Sequence, residues 1–586
     1  MVSLATASQI AYSGLATAQA RISVTSANIS NADTDGYTAK KATAVAVQSG
    51  LGGSGTAIGS ITSSVDKYVL ANLVEADSNL GAAKTTASYT DQLQTLLGST
   101  SGTTDGGTSI AASMSSLESA VTTLAASPDS DTDKAQVITA LSNISGQVRS
   151  LGHSIQSERG DADQEIGTSV DAVNQSLSTI DDLNKSIVQT RALGQSSADL
   201  EDKRTTALRD VAAKMDVSYY TTSAGSMVVT SKGGSTLVDS TVHKLSYTPA
   251  SAVSATTTFD SIKVDGKDIS SEITSGSIKA LTDMRDTTLV NAATSLDTFA
   301  TTLKDKINAA TADGSAVPAP ASLTGSVSTS SSDTFSASGT LRVALVDSSG
   351  KLVSSSDLDL SSYSSVGDVV DALNAVSGIS ASVDTNGHLA IASTTSGDGV
   401  AIGTVDGATT SVGSGSQSFS TYFGLNSVLT GSSAIDLAVP DSLTTNSGLF
   451  PSGTLSNSAT ASDGDTVLTS GSATVAQALQ SALTTAYSFD ASGGLGAQTS
   501  TLTNYAAAIV GQISTVATNA KSNETTVSAV QSSLNSTLTS QSGVNIDEET
   551  ANLADYQKVY SASAQVMSTV NTMFQSMLTV VENATS

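Results

Sequence analysis

Both ends of this chain repeat apolar residues every seven positions on stretches with almost no charge, and that pattern limits what the chain can fold into. Near the N-terminus Ser8, Leu15, Ile22 and Ile29 lie seven apart, with Leu4, Ala11, Ala18 and Thr25 interleaved between them. Near the C-terminus Leu553, Tyr560, Met567, Phe574 and Val581 repeat the interval, and Tyr556, Val570 and Met577 follow their partners by three residues. A solvated helix carries Glu and Lys on its outer face. Here Ser, Thr, Asn and Gln fill those positions, and the N-terminal stretch carries the single charge Arg21. Gly14, close to the first seam, lowers intrinsic helix stability by about 1 kcal/mol relative to Ala. Helices of this kind need a partner. The pattern predicts that the two terminal helices pair as a coiled coil and pack on other subunits. The chain then leaves an assembly, builds projecting domains and returns to it.

The N-terminal helix stops at "ANISNADTDGY", Ala27–Tyr37. Asn31, Asp33 and Asp35 favour turns because their short side chains bond nearby backbone, and Gly36 supplies the positive φ that closes a turn.

Composition removes several function classes. The 586 residues include no cysteine, which excludes disulfides, thiolate metal sites and cysteine nucleophiles. Three histidines, His153, His243 and His388, are far apart with no Glu at ligand spacing, so no metal is expected. A net charge of −27 opposes binding to nucleic acid or an anionic membrane, and 4% aromatics without tryptophan gives no base-stacking platform. The start has no positive n-region or continuous apolar h-region, and no run is long enough to span a membrane. "DSDTDK" has Lys134 where a calcium loop needs Gly and Ala140 where it needs Glu. The glycine-rich run 50–55 matches a dinucleotide fingerprint but lacks the helix that the phosphate requires, and reads as a hairpin. No nucleophile elbow occurs with a usable His. No catalytic, cofactor or metal residues are expected, and the chain reads as a non-enzyme.

Along the chain the period alternates. Residues 1–64 read as the N-terminal assembly helix, turn and β-hairpin, and 65–215 as a helical rod domain. Residues 216–280 form a small β segment, with hairpin turns at Gly233–Gly234 and at an Asp-Gly pair. A helical return covers 281–315, a Ser/Thr/Gly-rich β insert 316–471, a second helical rod segment 472–545, and the C-terminal assembly helix 546–586. The fold class is multidomain and mainly α, with a helical middle domain and outward-facing β-rich inserts.

The stretch "LATASQIAYSGLATAQARISVTSANISNADTDGYTAKKA" resembles the N-terminal segment shared by flagellar rod, hook and hook-associated proteins. Its hallmark falls here on Asn28, Ile29, Asn31, Thr34, Gly36 and Tyr37, with Asp35 in place of the usual proline. "SGVNIDEETANLADYQKVYSASAQVMSTVNTMFQSML" is similar to the family's C-terminal segment. Two interior stretches, "ADLEDKRTTALRDVAAKMDV" and "GSIKALTDMRDTTLVNAATSLDTFATTLKDKINAATADG", are similar to the hook-associated members at the hook–filament junction. The resemblance implies a secreted structural adaptor at that junction, exported unfolded by the flagellar type III apparatus. Implied partners are further copies in a ring, the hook protein, the second junction protein (hook-associated protein 3) with the filament, and an export chaperone on the C-terminal helix. The expected assembly interface is Leu15, Ile22, Asn28, Ile29, Asn31, Thr34, Gly36, Tyr37, Leu553, Tyr556, Tyr560, Met567, Val570, Phe574 and Met577. A hook or distal rod protein remains open, as does a secreted Ser/Thr-rich adhesin.

Overall fold

A computed structural model of the chain describes residues 2–49, 52–98, 108–405, 409–413, 415 and 417–585. It is mostly helical, with small separate sheets. The helices are α1 (Val2–Ser30), α2 (Lys67–Leu97), α3 (Ile110–Ala126), α4 (Asp131–Ala192), α5 (Ala198–Lys214), α6 (Ser277–Asp283) and α7 (Leu289–Thr311). They continue as α8 (Val366–Asn374), the short α9 (Phe419–Phe423) and α10 (Asp441–Thr445), then α11 (Thr474–Thr484), α12 (Leu502–Ser542) and α13 (Ile546–Thr585). The chain divides into two compact units: residues 1–89, 160–285 and 518–586 form one, and 90–159 and 286–517 the other.

In the first unit, α1 leads through the Gly36 turn into an antiparallel hairpin of β1 (Lys40–Ser49) and β2 (Gly52–Ser63). Of the glycine-rich run 50–55, residues 50 and 51 lie outside the described residues, and the remainder is strand. Ile166, Val170, Val173, Leu177, Ile180 and Ile187 are buried on α4, at intervals of three, four or seven that keep them on one face. Beside it lie two small meanders: β3 (Val217–Thr221), β4 (Met227–Ser231) and β5 (Thr236–Val238), then β6 (Leu245–Ser246), β7 (Lys263–Val264) and β8 (Lys267–Asp268). The turn between β4 and β5 is at Gly233–Gly234, with Gly234 at positive φ. That between β7 and β8 is at Asp265–Gly266, both with positive φ.

Side-chain amides attach these strands to α4. Asn174 donates to the carbonyl of Leu245 and accepts from its N–H, at 2.9 and 2.8 Å. Asn184 does the same to Met227, at 2.8 Å each way. Deeper in this unit, Asp163 is fully buried and accepts from Arg285 Nη1 at 2.7 Å, from the Tyr247 hydroxyl and from the Ala250 N–H. Phe259 covers the Arg285 guanidinium at 4.0 Å.

The second unit packs α3, the first part of α4, α7, α11 and the first part of α12 around Met114, Leu117, Leu141, Ile144, Phe299, Leu303 and Tyr505, all buried. From it extends a run of strands: β9 (Gly314–Ser315), β10 (Ser322–Ser328), β11 (Ala337–Ser338), β12 (Thr340–Val346), β13 (Leu352–Asp359), β14 (Ile379–Val383) and β15 (His388–Ser393). These are followed by β16 (Gly399–Thr404), β17 (Ser411–Val412), β18 (Gly453–Leu455) and β19 (Leu468–Thr469). Two three-stranded sheets, β10-β15-β14 and β13-β12-β16, share with α8 and α9 one core that includes Phe335, Val343, Leu373, Ile391, Phe419 and Phe423.

The stretch 316–471 has two parts of different character. Residues 323–425 carry that core, and the ends of this part meet where the Ser326 N–H donates to Gly424 O at 3.1 Å. Residues 426–455 are tied back to α7 and β9. Asn308 on α7 accepts from the N–H groups of Val428 and Leu429 and donates to Leu429 O, and Lys304 donates to Gly431 O. Strand β18 pairs with β9.

Excision of 322–423 with a short linker keeps the bonds of Asn308 and should leave the melting temperature of the helical signal in circular dichroism closer to that of the full chain. Its cost is the exposure of Leu455, Val467 and Leu468, which pack on β12, β13 and β16. Excision of 316–471 should lower that temperature more, because the half-buried amide of Asn308 loses its partners at a cost of about 0.5–1.5 kcal/mol per bond. Equal melting of the two deletions would contradict this division.

Candidate assembly interface

The turn motif of the N-terminal segment is built around one amide. Asn28, near the end of α1, is fully buried. Its Nδ2 donates to Lys40 O at 2.9 Å and to Glu549 Oε1 on α13 at 3.0 Å. Its Oδ1 accepts from the Lys40 N–H at 3.0 Å and from the Tyr37 hydroxyl at 2.9 Å. The side chain thus replaces a strand partner for Lys40 and uses its full capacity of two donors and two lone pairs. The chain reverses between Asn28 and Lys40 because Gly36 adopts φ +75°, and a Cβ there would lie 2.8 Å from Thr206 Oγ1 on α5. Asn31 donates back to Ala27 O and accepts from Thr34, closing the helix end.

A charged layer lies against this clip. Asp202 on α5 accepts from the Thr38 N–H at 2.9 Å and the Thr38 hydroxyl at 2.8 Å, and pairs with the buried Lys40 ammonium. Lys40 Nζ sits 3.9 Å from the centre of the Tyr37 ring and 3.4 Å from Asp199. Burial pushes the Tyr37 phenol up to about 12, and the carboxylates of Asp199, Asp202 and Glu549 push it the same way. The Ala39 N–H donates to Ser542 O at the end of α12. Nearby, Arg209 on α5 bonds Asp77 on α2 at 2.7 Å, and Gln531 on α12 bonds the same carboxylate at 2.8 Å.

Above the clip α1 and α13 lie side by side in opposite directions. Asn28 meets Glu549, the Arg21 guanidinium sits 5.2 Å from the Tyr556 ring centre, Gly14 faces Ser563, and the Ser8 hydroxyl reaches Met567 Sδ at 3.5 Å. A Cβ on Gly14 would lie 3.0 Å from Ser563 Oγ, so a small residue is needed there. On α1 the buried residues are Ala11, Thr17, Ala18, Thr25 and Asn28, while Leu15, Ile22, Ile29, Asn31 and Tyr37 are half-buried and Thr34 and Gly36 exposed. On α13 Leu553, Tyr556 and Met567 are half-buried and Val570 is buried. Tyr560, Phe574 and Met577 are exposed, at 37%, 44% and 38%. Within the described residues the structure thus brings the two seams together from Ser8 to Asn28 and from Glu549 to Val570. The lower part of the α13 seam keeps Phe574 and Met577 exposed.

Thr38, Lys40, Asp202 and Glu549 complete the site and were not read from the sequence. Asp202 lies within the "ADLEDKR" stretch and Glu549 in the acidic first turn of α13, so their positions were visible, but not their partners. Among the described residues no group of three or more His, Asp or Glu is placed to hold a metal, and no helix is long and apolar enough to cross a membrane.

Comparison with known proteins assigns the class. Residues 9–38 match the family "Flagella basal body rod protein", and 536–580 match "Flagellar basal body rod FlgEFG protein C-terminal". Residues 90–320 match "Flagellar hook-associated protein FlgK helical domain", and 340–395 match "Flagellin hook IN motif". The chain is one of the flagellar rod, hook and hook-associated proteins. Within that class its similarity is to hook-associated protein 1: the Salmonella typhimurium and Salmonella typhi proteins of that name are each 24% identical over 97% of this chain and 99% of their own. The flagellar hook junction protein FlgK of Burkholderia pseudomallei aligns with a TM-score of 0.46 at 16% identity, covering 80% of this chain and 99% of that one.

Asn28→Leu should cost about 1–3 kcal/mol, because the Lys40 backbone groups and the Tyr37 hydroxyl lose a buried partner. Urea unfolding of the full chain measures it, and an unchanged midpoint would show that water replaces the amide. Tyr37→Phe tests the phenol. Its folded value lies above the ordinary one near 10, so its donated bond is complete below about pH 10 and lost as pH rises through about 12. The 295 nm titration of the wild type minus that of Tyr37→Phe should show one tyrosine ionising near pH 12, not near 10.

Proposed function

We propose that this chain is a structural subunit that joins the bacterial flagellar hook to the filament. The observation that carries the reading is the end-to-end match to hook-associated protein 1, which includes both terminal helices and the helical domain between them. In this reading α1 and α13 pair as a coiled coil whose neutral outer face packs on neighbouring copies in a ring. The expected interface residues on both helices, and the clip at Asn28 and Tyr37, fix that pair at the base of the projecting domains. The domains divide as read from the sequence, with β-rich parts facing outward. The hook protein lies on one side, with hook-associated protein 3 and the filament on the other. The chain is secreted through the flagellar type III apparatus, with an export chaperone holding the C-terminal helix beforehand, and performs no catalysis. What favours assembly over a free monomer is α13 itself, which keeps Val559, Val566, Met573, Phe574, Leu578, Val580 and Val581 exposed in one chain.

A strain lacking the gene should make hooks that carry no filaments, with filament protein released into the medium, as seen by electron microscopy. Absent hooks would favour a rod protein, and normal flagella an adhesin. Phe574→Ala should leave the subunit's melting temperature nearly unchanged, since this ring is exposed in the single chain. Its incorporation should fall sharply, because a Phe buried only in the assembly loses about 3–5 kcal/mol on truncation. Ser576→Ala, also on an exposed turn of α13, should assemble normally.

A further inference from the structure

Between α1, the β1–β2 hairpin and α13 runs a groove of about 400 Å³. Its floor is small: Ala11, Gly14, Thr17 and Ala18. Its rims are Ile10 on α1, Ala44 and Thr56 of the hairpin, and Val559 and Val566 of α13. One charged residue lines it, Arg21, whose Nε is buried without a hydrogen-bond partner. Arg21 is also the one charge in α1.

The other unexplained surface is the end of α13. Met567 lies opposite Ser8 in the first turns of α1. The stripe that α1 covers higher up continues past that point as Phe574, Met577, Leu578 and Val581, spaced i, i+3, i+4 and i+7 and all exposed. From Val559 to Thr585 the chain carries a single charge, Glu582, at the edge of that same face.

We infer that the last turns of α13 of one copy lie in the α1 groove of a second copy, with Glu582 paired to Arg21. The inference rests on the proposed self-assembly and names its contact. Three properties support it. The charges are complementary, one cation in the groove and one anion on the tip. The lengths agree: Ile10 to Arg21 spans about 16 Å of helix and Phe574 to Glu582 about 12 Å. The surface offered is of one kind, since the upper half of α13 already packs on the small residues of its own α1. The contact is head-to-tail, because tip and groove are different surfaces of one chain, so repeated use of it closes a ring or propagates a helix.

The chain has no cysteine, which makes disulfide mapping free of background. Copies carrying Ile10→Cys and copies carrying Leu578→Cys are expressed together, and isolated flagella are oxidised and analysed by mass spectrometry. The expected product is a disulfide joining position 10 of one copy to position 578 of another. Within one chain these positions lie about 15–20 Å apart, from their offset along antiparallel helices, too far for a disulfide. Val559→Cys with Val581→Cys is a second pair that decides the matter should the first not be incorporated. Separately, Arg21→Glu should reduce incorporation by about tenfold or more, the scale of losing an interfacial charge pair, and Arg21→Glu with Glu582→Arg in every copy should restore it. Tip-to-tip products alone, tip products with a different protein, no product in flagella containing both copies, or a charge swap that does not restore incorporation would each overturn the inference. The underlying reading fails differently: the unmodified chain, located by immunogold labelling, would then be absent from the hook–filament junction.

Discussion

The structure depends on a primary amide standing in for a backbone partner. An asparagine side chain offers an N–H donor and a C=O acceptor side by side, as a peptide group does, and carries no charge to desolvate. Asn28, Asn174, Asn184 and Asn374 each project from a helix and bond both the N–H and the C=O of one strand residue: Lys40, Leu245, Met227 and Ala381. Asn308 holds the backbone at Val428 and Leu429 in the same way. Helices and small sheets meet at these points, and a two- or three-stranded sheet has few groups of its own with which to hold register. A chain with 13% charged residues joins helix to sheet with amides where a more charged protein would use ion pairs.

Two buried ion pairs follow the same rule of complete satisfaction. Asp163 takes bonds from Arg285, Tyr247 and the Ala250 N–H, and Asp202 takes them from Lys40, the Thr38 hydroxyl and the Thr38 N–H. A buried pair gains little over apolar packing, but loss of one partner strands the other charge at several kcal/mol. Such pairs therefore fix which segments may meet. Asp202 attaches the base of the terminal helices to α5, and Asp163 attaches the segment around Tyr247 and Arg285 to α4. The terminal helices have no comparable fixing along their length. Small residues at Ala11, Gly14 and Ala18 let α13 approach closely, and Arg21 over Tyr556 is a charged contact between the two helices above the clip.

Elements governed by local rules were legible in the sequence. The hairpin turns at Gly233–Gly234 and Asp265–Gly266 follow from residues that tolerate positive φ, and α8 from a capping box at Ser365 and Asp368. The seven-residue spacing at both ends identified long helices, because period alone distinguishes them from strand. What it could not supply was extent. Phe574 and Met567 occupy equivalent seam positions, yet Met567 lies against Ser8 while Phe574 is exposed. Nor could composition divide 316–471. Its Ser/Thr-rich character is uniform, but the segment after Asn426 bonds to α7 and the segment before it does not share those bonds.

The sequence by itself determined that this chain has long helices at both ends and a helical body interrupted by small sheets. Those conclusions rest on period, turn residues and the residue types present, which are properties of neighbours along the chain. Only the tertiary structure decided which partner each polar group takes. Asn28 reads in the sequence as a helix-end asparagine, and its role comes from Lys40, Tyr37 and Glu549 arriving at one place, the last of them from 521 residues away. A hydrogen bond is set by distance and angle in space, and no interval in the sequence encodes that meeting.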